Sequence, residues 1–358
     1  MLRKLDLADL EFDRVPVLCH STRGTPYTRW ASVGMPKIPS RMLDCAFYLY
    51  PSEEEARRGG KAGGTGFFVG IRSQVRSDCM YMYAVTNHHV LTSGWSVIRL
   101  NTVDGGTDIF ETDPSDWTFK PGGDDVAVLP FQLREGMKHS CIEDTLFATE
   151  EDVRELEIGP GDDVFMIGRF VDHDGGASNV PAVRFGNISV NPTVIHDSQG
   201  HKSLSYILDI HSRTGYSGSP VFFYRTHGAD ITSAVLGGVT MLMPAKARFL
   251  GIHYSQFPEE WEIRESAKRA ATAQAAPLLL DEKKHVVVGM SGMTCAIPAW
   301  RVRELLDHPA IARPREAEEV ALSSTPAYNG PMPEAAASNS RHREDFNSLL
   351  DAAVRGKP

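Results

Sequence analysis

Short apolar and aromatic runs alternate with turn residues through most of the chain. Residues 45–50 (CAFYLY), 64–71 (GTGFFVGI) and 125–131 (DVAVLPF) belong to a first series, in which Gly, Ser, Asp or Pro separates the runs. Runs of this length and composition predict β-strands. A second series follows a charged spacer at 148–163 and continues to about residue 297. Two series of short strands predict an all-β protein with two packed barrels or sandwiches.

Helical patterns are few. Residues 259–275 are rich in Ala, Glu, Lys and Arg, which favour a helix. Residues 298–307 (PAWRVRELLD) combine a proline at the first turn with apolar positions at helical spacing, and predict a second helix. The chain then becomes rich in Pro, Ala and Ser, which is typical of a flexible tail. Within that tail, residues 342–356 could form one short amphipathic helix.

These patterns divide the chain into four parts. We expect an N-terminal arm over 1–41, where Pro, Gly, Arg and Thr mix with little periodicity. The first β-barrel is predicted over 42–135, and the second, with a closing helix, over 136–310. The flexible tail occupies 311–358. The arm and the tail are candidate docking sites for a regulatory partner.

Charge and targeting signals narrow the class of protein. The 358 residues include 46 acidic and 37 basic ones, a net charge of −9, which argues against a nucleic-acid partner. The first residues are charged and contain no apolar signal segment, and we expect no membrane partner. Five scattered cysteines favour reduced thiols and a cytoplasmic location. The histidines and cysteines lack metal-ligand spacing, so we expect neither a metal nor another cofactor.

The stretch RTGYSGSPVFF (213–223) raises the question of a nucleophile. Small residues on both sides of Ser217 allow a sharp turn that exposes its hydroxyl, and the amides of Gly215 and Ser217 could converge on one oxyanion. A plain turn before a strand explains this stretch equally well. Serine attack also needs a base that takes the proton and an acid that orients the base.

Candidates for both partners lie in the first strand series. Two consecutive histidines, His88 and His89, end an apolar strand in YAVTNHHVLTS (83–93), and histidine suits proton transfer near neutral pH. Two aspartates, Asp124 and Asp125, precede the strand in GGDDVAVLPF (122–131). An aspartate that enters an apolar strand is paired, solvated or functional. A turn aspartate and a surface histidine are the alternative interpretations.

The order of the three candidates along the chain is histidine, aspartate, serine, which is typical of one of the convergent triads. With GTGF, TNHHV, DVAVL and GYSGSPV in this order, the chain resembles the trypsin/chymotrypsin-like serine peptidases over roughly residues 42–308. The resemblance is nearest to their bacterial branch. It implies two packed six-stranded antiparallel β-barrels, with a C-terminal helix and a few inserted helices.

The resemblance also implies roles for individual residues. The fourth position of the TNHHV block carries the base, so His89 is preferred over His88. Asp125 is preferred over Asp124, and Ser217 over Ser219. The implied activity is a serine endopeptidase that works through an acyl-enzyme, with Gly215 and Ser217 as the oxyanion hole.

The implied substrate pocket involves four residues. The tripeptide GIH at 251–253 resembles glutamyl endopeptidases and viral 3C-type proteases, so His253 is a candidate contact for the substrate side chain before the scissile bond (P1), with Ser255 beside it. His211 and Ser212 would lie near the pocket floor. These positions carry no aspartate, which argues against Lys or Arg at P1, and the resemblance implies Glu, Gln or Asp there instead. A strand histidine with a local hydrogen bond is the alternative for His253.

Two positions depart from the secreted animal relatives. Val90 follows the histidine where those relatives have a disulfide cysteine. Tyr216 precedes the serine where they have the aspartate that pairs with a newly cut N-terminus. We therefore expect no activation by that cut.

Two other functions compete with the peptidase. An α/β-hydrolase would match GYSGS superficially, but its triad order and its alternating strands and helices are absent from this sequence. A catalytically silent interaction module with the same fold is the second alternative, because fold does not guarantee function.

Overall fold

The computed structural model describes residues 16–19, 27–30, 38–76, 79–173, 175–196, 202–225, 246–262 and 286–324. Two β-sheets dominate these ranges, which confirms the all-β class. A separate antiparallel pair, β1 (Pro16–Cys19) and β2 (Tyr27–Trp30), lies in the predicted arm.

The first sheet contains eight strands. They are β3 (Ala46–Tyr50), β4 (Gly64–Arg72), β5 (Met80–Thr86), β6 (Val97–Asn101), β7 (Thr107–Phe110), β8 (Thr118–Phe119), β9 (Ala127–Pro130) and β10 (Ile142–Glu143). Their order is β7-β6-β3-β4-β5-β9-β8, and β10 pairs with β4. All five side chains of β3 are buried, because apolar clusters cover both of its faces.

The predicted number of six antiparallel strands needs a correction for this sheet. Six of its strands have four or more residues, and β8 and β10 add two residues each. β10 runs parallel to β4, in a register that pairs Ile142 with Val69. Two-residue strands carry no readable alternation of apolar and polar positions, so the sequence pattern could not reveal them.

The second sheet is a closed six-stranded barrel in the order β11-β12-β13-β16-β15-β14. Its strands are β11 (Asp163–Gly168), β12 (Ala182–His196), β13 (Lys202–Asp209), β14 (Pro220–Arg225), β15 (Lys246–Glu262) and β16 (Val286–Pro298). All of its neighbouring strands pair antiparallel. This barrel agrees with the predicted strand count.

Phe249 packs at the junction of the two sheets. Its ring centroid lies 5.3 Å from that of Phe67 on β4 and 5.9 Å from that of Phe222 on β14. All three rings belong to one buried cluster, which also includes residues of the C-terminal helices. The two sheets therefore share a hydrophobic core.

Six α-helices lie within the described ranges. They are α1 (Ser40–Leu43), α2 (Glu53–Arg58), α3 (His88–Thr92), α4 (Glu150–Glu155), α5 (Ala299–Leu306) and α6 (Pro309–Ser324). α5 is the helix predicted from PAWRVRELLD, with Pro298 as its N-cap and Val302, Leu305 and Leu306 buried. None of the described helices combines the length and apolar character that crossing a membrane requires.

Two predicted segments differ from the structure. Residues 259–262 belong to β15, because they pair with β16 rather than starting a helix; residues 263–275 lie outside the described ranges. The predicted tail begins as helix α6, in which Ile311 and Ala312 are buried. Glu319 anchors this helix, because it accepts hydrogen bonds from the Ser73 hydroxyl and the Val75 amide. The helix predicted over 342–356 lies outside the described residues.

Candidate active site

His89, on helix α3, and Asp125, in the loop before β9, form a close pair. The distance between His89 Nδ1 and Asp125 Oδ2 is 2.5 Å, and the His89 amide donates to Asp125 Oδ1 at 2.8 Å. Because a carboxylate accepts hydrogen bonds, Nδ1 carries the hydrogen and Nε2 is left for a second partner. The His89 side chain is 41% exposed, so solvent or a substrate can approach it.

Asn87 and Thr86 fix the backbone around this pair. The side-chain amide of Asn87 donates to the carbonyl of Asp125 at 2.8 Å. Thr86, at the end of β5, donates its hydroxyl to the Thr65 carbonyl on β4. The backbone that carries His89 is thereby tied to the Asp125 loop and to the neighbouring strand. Asn87 stands inside the TNHHV block, but its role could not be read from the block alone.

The neighbouring histidine and aspartate have different surroundings. His88 stacks on Phe119 with a centroid distance of 3.9 Å. Asp124 accepts from Arg301 Nε at 2.7 Å and from the Ser203 hydroxyl at 3.0 Å. Of the two adjacent pairs in the sequence, the structure thus brings together His89 and Asp125.

The Ser217 loop needs glycine on both sides of the serine. Gly215 has φ +100° and Gly218 has φ +86°. A Cβ on Gly218 would lie 2.0 Å from the Thr65 carbonyl oxygen, and one on Gly215 would lie 2.7 Å from the Arg169 carbonyl oxygen. Ser217 is half-buried, whereas Ser219 is fully buried.

Backbone amides in this loop fall into two groups. Those of Tyr216, Gly218 and Ser219 donate to carbonyls of the protein at 3.0 to 3.2 Å. Those of Gly215 and Ser217 donate to no acceptor among the described residues. The amides of Gly215 and Ser217 are also the two predicted from the sequence as oxyanion donors.

Thr65 connects the Ser217 loop to the first sheet. Its amide donates to the Ser217 carbonyl at 2.9 Å, and its hydroxyl donates to the Gly215 carbonyl at 2.6 Å. A Cβ on Gly64 would meet both the Val90 side chain and the Ser217 carbonyl, so the loop lies beside the helix that carries His89. Thr65 belongs to the GTGF block, but only the fold shows which backbone groups it meets.

His253 packs beneath the loop. Its ring is buried, and Nδ1 lies 3.1 Å from the Tyr216 carbonyl oxygen. Burial lowers the pKa of His253 to about 4, so the ring is neutral at pH 7. Because a carbonyl only accepts, Nδ1 donates and Nε2 carries the lone pair. Nε2 is buried and has no hydrogen-bond partner in the described part of the chain.

The other predicted pocket residues differ in their burial. Ser212 is buried, and its hydroxyl has no partner among the described residues. Ser255 is half-buried, and a register shift in the pairing of β15 with β16 falls between His253 and Ser255. His211 is exposed. Of these four residues, His253 is the one with a hydrogen bond to the Ser217 loop.

No group of metal-binding side chains occurs in the ranges that the structure describes. Desolvation by burial raises the pKa of the Cys141 thiol to about 11 and that of the Cys295 thiol to about 11. These thiols therefore stay protonated at neutral pH, which disfavours them as nucleophiles.

Comparisons with known proteins give fold-level likeness. No family model matches the sequence, and no curated protein matches it. The structure is similar to the MamO protease domain from Magnetospirillum magneticum in its apo form, with a TM-score of 0.40 and 14% identity over 74% of this chain and 97% of that one.

It is also similar to Deg5, with a TM-score of 0.34 and 19% identity over 51% of this chain and 75% of that one. A third structure, the Rv3671c protease in an inactive form, gives a TM-score of 0.36 and 15% identity over 74% and 88% of the two chains.

Proposed function

We propose that this protein is a serine endopeptidase with Ser217 as nucleophile, His89 as base and Asp125 as the orienting acid. The observation that supports this most directly is the His89–Asp125 pair at 2.5 Å, next to a loop in which the amides of Gly215 and Ser217 donate to no acceptor among the described residues. Its location in a reducing compartment remains a prediction.

The first step is formation of an acyl-enzyme. The Ser217 hydroxyl oxygen forms a bond to the scissile carbonyl carbon while its proton moves to Nε2 of His89. Asp125 holds the hydrogen on Nδ1 and stabilises the imidazolium. The carbonyl oxygen becomes negative, and the amides of Gly215 and Ser217 donate to it.

The second half of the reaction releases the products. The imidazolium of His89 gives its proton to the leaving amine as the peptide C–N bond breaks. Water then attacks the acyl carbon while His89 takes a proton from it. Collapse of this intermediate returns the hydrogen to Ser217 and frees the new carboxyl group.

His253 supports a preference for amide side chains at P1. Its Nε2 carries a lone pair at neutral pH and accepts hydrogen bonds, so its matching partner is a hydrogen-bond donor. The side-chain amide of Gln or Asn supplies one, whereas the carboxylate of Glu or Asp would place a negative charge against a lone pair. Because no protein donor in the described residues bonds this buried atom, a substrate donor would satisfy it. We therefore propose Gln or Asn over Glu or Asp at pH 7.

Fluorophosphonate labelling tests the nucleophile. We expect the wild type to form a covalent adduct and Ser217→Ala to form none. Ser219→Ala is the matched control, because it removes a buried neighbouring hydroxyl, and it should still be labelled. An unlabelled wild type, under conditions where other serine peptidases react, would favour a silent interaction module.

Peptide-library cleavage tests the P1 proposal. With the wild type at pH 7, cleavage should be fastest after Gln or Asn. Dominant cleavage after Lys or Arg would contradict a role for His253 in this pocket. Dominant cleavage after Glu would show that the ring binds P1 in its protonated form.

A further inference from the structure

The carboxylate immediately before Asp125 has its own partners, and both belong to the second half of the chain. Asp124 Oδ2 accepts from Arg301 Nε at 2.7 Å, and Asp124 Oδ1 accepts from the Ser203 hydroxyl at 3.0 Å. Arg301 lies on α5 and Ser203 on β13. One side chain of the loop before β9 is thus bound to strand β13 of the second barrel and to helix α5, which follows that barrel.

This contact is shielded from solvent. The Asp124 side chain is 12% exposed and that of Arg301 is 29% exposed. Arg301 is oriented further by Glu304, which accepts from its Nη1 at 2.6 Å. A partly buried pair with several hydrogen bonds constrains geometry more than a surface pair, and the loss of one partner leaves the other charge poorly solvated.

The position of Asp125 depends on the backbone around it. Its carboxylate is engaged by His89 and its carbonyl by Asn87, and both of these residues follow β5 of the first sheet. The Asp124 contact differs from these two, because it connects the Asp125 loop to the barrel that carries Ser217. The helix at its far end is itself fixed, since Val302, Leu305 and Leu306 are buried in the core shared by both sheets.

We propose that Asp124 is a positioning residue, which fixes the Asp125 loop against the second barrel through Arg301 and Ser203 and thereby sets the His89 imidazole relative to Ser217. This inference rests on the proposed peptidase function. Catalysis is sensitive to shifts of about 1 Å in such groups. Through this contact, correct packing of the two barrels is required for efficient activation of Ser217.

Fluorophosphonate inactivation kinetics of the full chain test this role. Asp124→Asn and Arg301→Gln should each lower kinact by about tenfold and leave KI unchanged, because the probe still binds while Ser217 is activated less well. The two substitutions remove opposite charges. A through-space charge effect on the His89 imidazolium would therefore change kinact in opposite directions, whereas loss of position lowers it in both.

Two further variants complete the experiment. Ser203→Ala removes one hydrogen bond from Asp124 with no change of charge, and it should lower kinact by about threefold. The test therefore does not depend on the folding of the two variants that lose a charged group. Arg303→Gln is the matched control: Arg303 lies on the same helix and pairs with Asp144 at 2.9 Å. Its kinact should stay within about twofold of the wild type, even if the thermal midpoint falls.

The outcomes separate this inference from the proposed function. A labelled wild type in which Asp124→Asn and Arg301→Gln behave like Arg303→Gln would overturn the positioning role and leave the peptidase intact. Opposite changes in the two variants would also overturn it. A wild type that reacts no faster than Ser217→Ala would overturn the peptidase itself, and the positioning role with it.

Discussion

The His253 ring donates from Nδ1 to the Tyr216 carbonyl, over 3.1 Å, from a fully buried position. This bond joins β15 to the residue before Ser217, so a change in the His253 ring acts directly on the nucleophile loop. Burial lowers its pKa from 6.5 to about 4, which makes the neutral form part of the folded structure.

The first prediction concerns stability in acid. Below pH 6.5 the unfolded chain binds a proton at His253 that the folded chain does not bind until about pH 4. This contribution to stability is therefore present above pH 6.5 and is lost as the pH falls toward 4, by about 2.5 kcal/mol at pH 4.5. Urea unfolding of wild type and His253→Gln at pH 7 and 4.5 measures it.

The Gln variant should lose less stability between the two pH values than the wild type does. His211→Gln, which removes an exposed histidine, should behave as the wild type. Equal pH dependence in all three proteins would contradict the buried neutral ring.

The second prediction concerns Gly218. An alanine there would place Cβ 2.0 Å from the Thr65 carbonyl oxygen at a positive φ. We expect Gly218→Ala to cost about 3 kcal/mol and to lower fluorophosphonate labelling at least about 100-fold, because the loop must move. Thermal unfolding and labelling rates check both parts.

Gly136→Ala is the control for backbone strain. Gly136 has φ +84° and open space around its Cβ position. This substitution should cost about 1 kcal/mol from φ alone and leave labelling unchanged. If the two alanine variants were labelled equally fast, the close approach of Thr65 to Gly218 would not affect the reactivity of Ser217.

More of the fold than of the detailed site could be predicted from the sequence. Dense β-branched and aromatic runs revealed the long strands, because packing on a pleated surface selects those residues. The histidine pair and the aspartate pair could not be separated by spacing alone, since adjacent residues differ only in what the fold places beside them. Phe119 and Arg301, which contact His88 and Asp124, are distant in sequence from the residues they meet.

The Ser217 loop shows the same division. Its glycines were recognisable because positive φ favours glycine. The partners of the loop could not be recognised, because Thr65 lies about 150 residues away in the sequence. In the sequence Thr65 also looks like any other threonine in a strand. The neutral state of His253 likewise depends on burial, which a tripeptide pattern does not reveal.

The third prediction concerns the core at the junction of the two sheets. Phe249 packs on Phe67, Phe147 and Phe222 at centroid distances of 4.8 to 5.9 Å. Phe249→Ala should destabilise the protein by about 4 kcal/mol, because it opens a cavity in the shared core. Urea unfolding measures this, and Phe249→Leu should restore part of it. A loss below about 1 kcal/mol would argue against close packing there.

The fourth prediction concerns Thr65, whose hydroxyl both donates to the Gly215 carbonyl and accepts from the Arg169 amide. Thr65→Val keeps the shape and leaves two buried backbone groups without that partner, so it should cost about 2 to 3 kcal/mol. Labelling of Ser217 should slow by about tenfold or more, because the backbone that presents the Gly215 amide is released. Thr65→Ser should restore both properties.

Thr294→Val is the matched control, since Thr294 is equally buried and its hydroxyl has no partner among the described residues; it should be neutral or stabilising. Equal losses in Thr65→Val and Thr294→Val would show that the hydroxyl of Thr65 does not hold the loop.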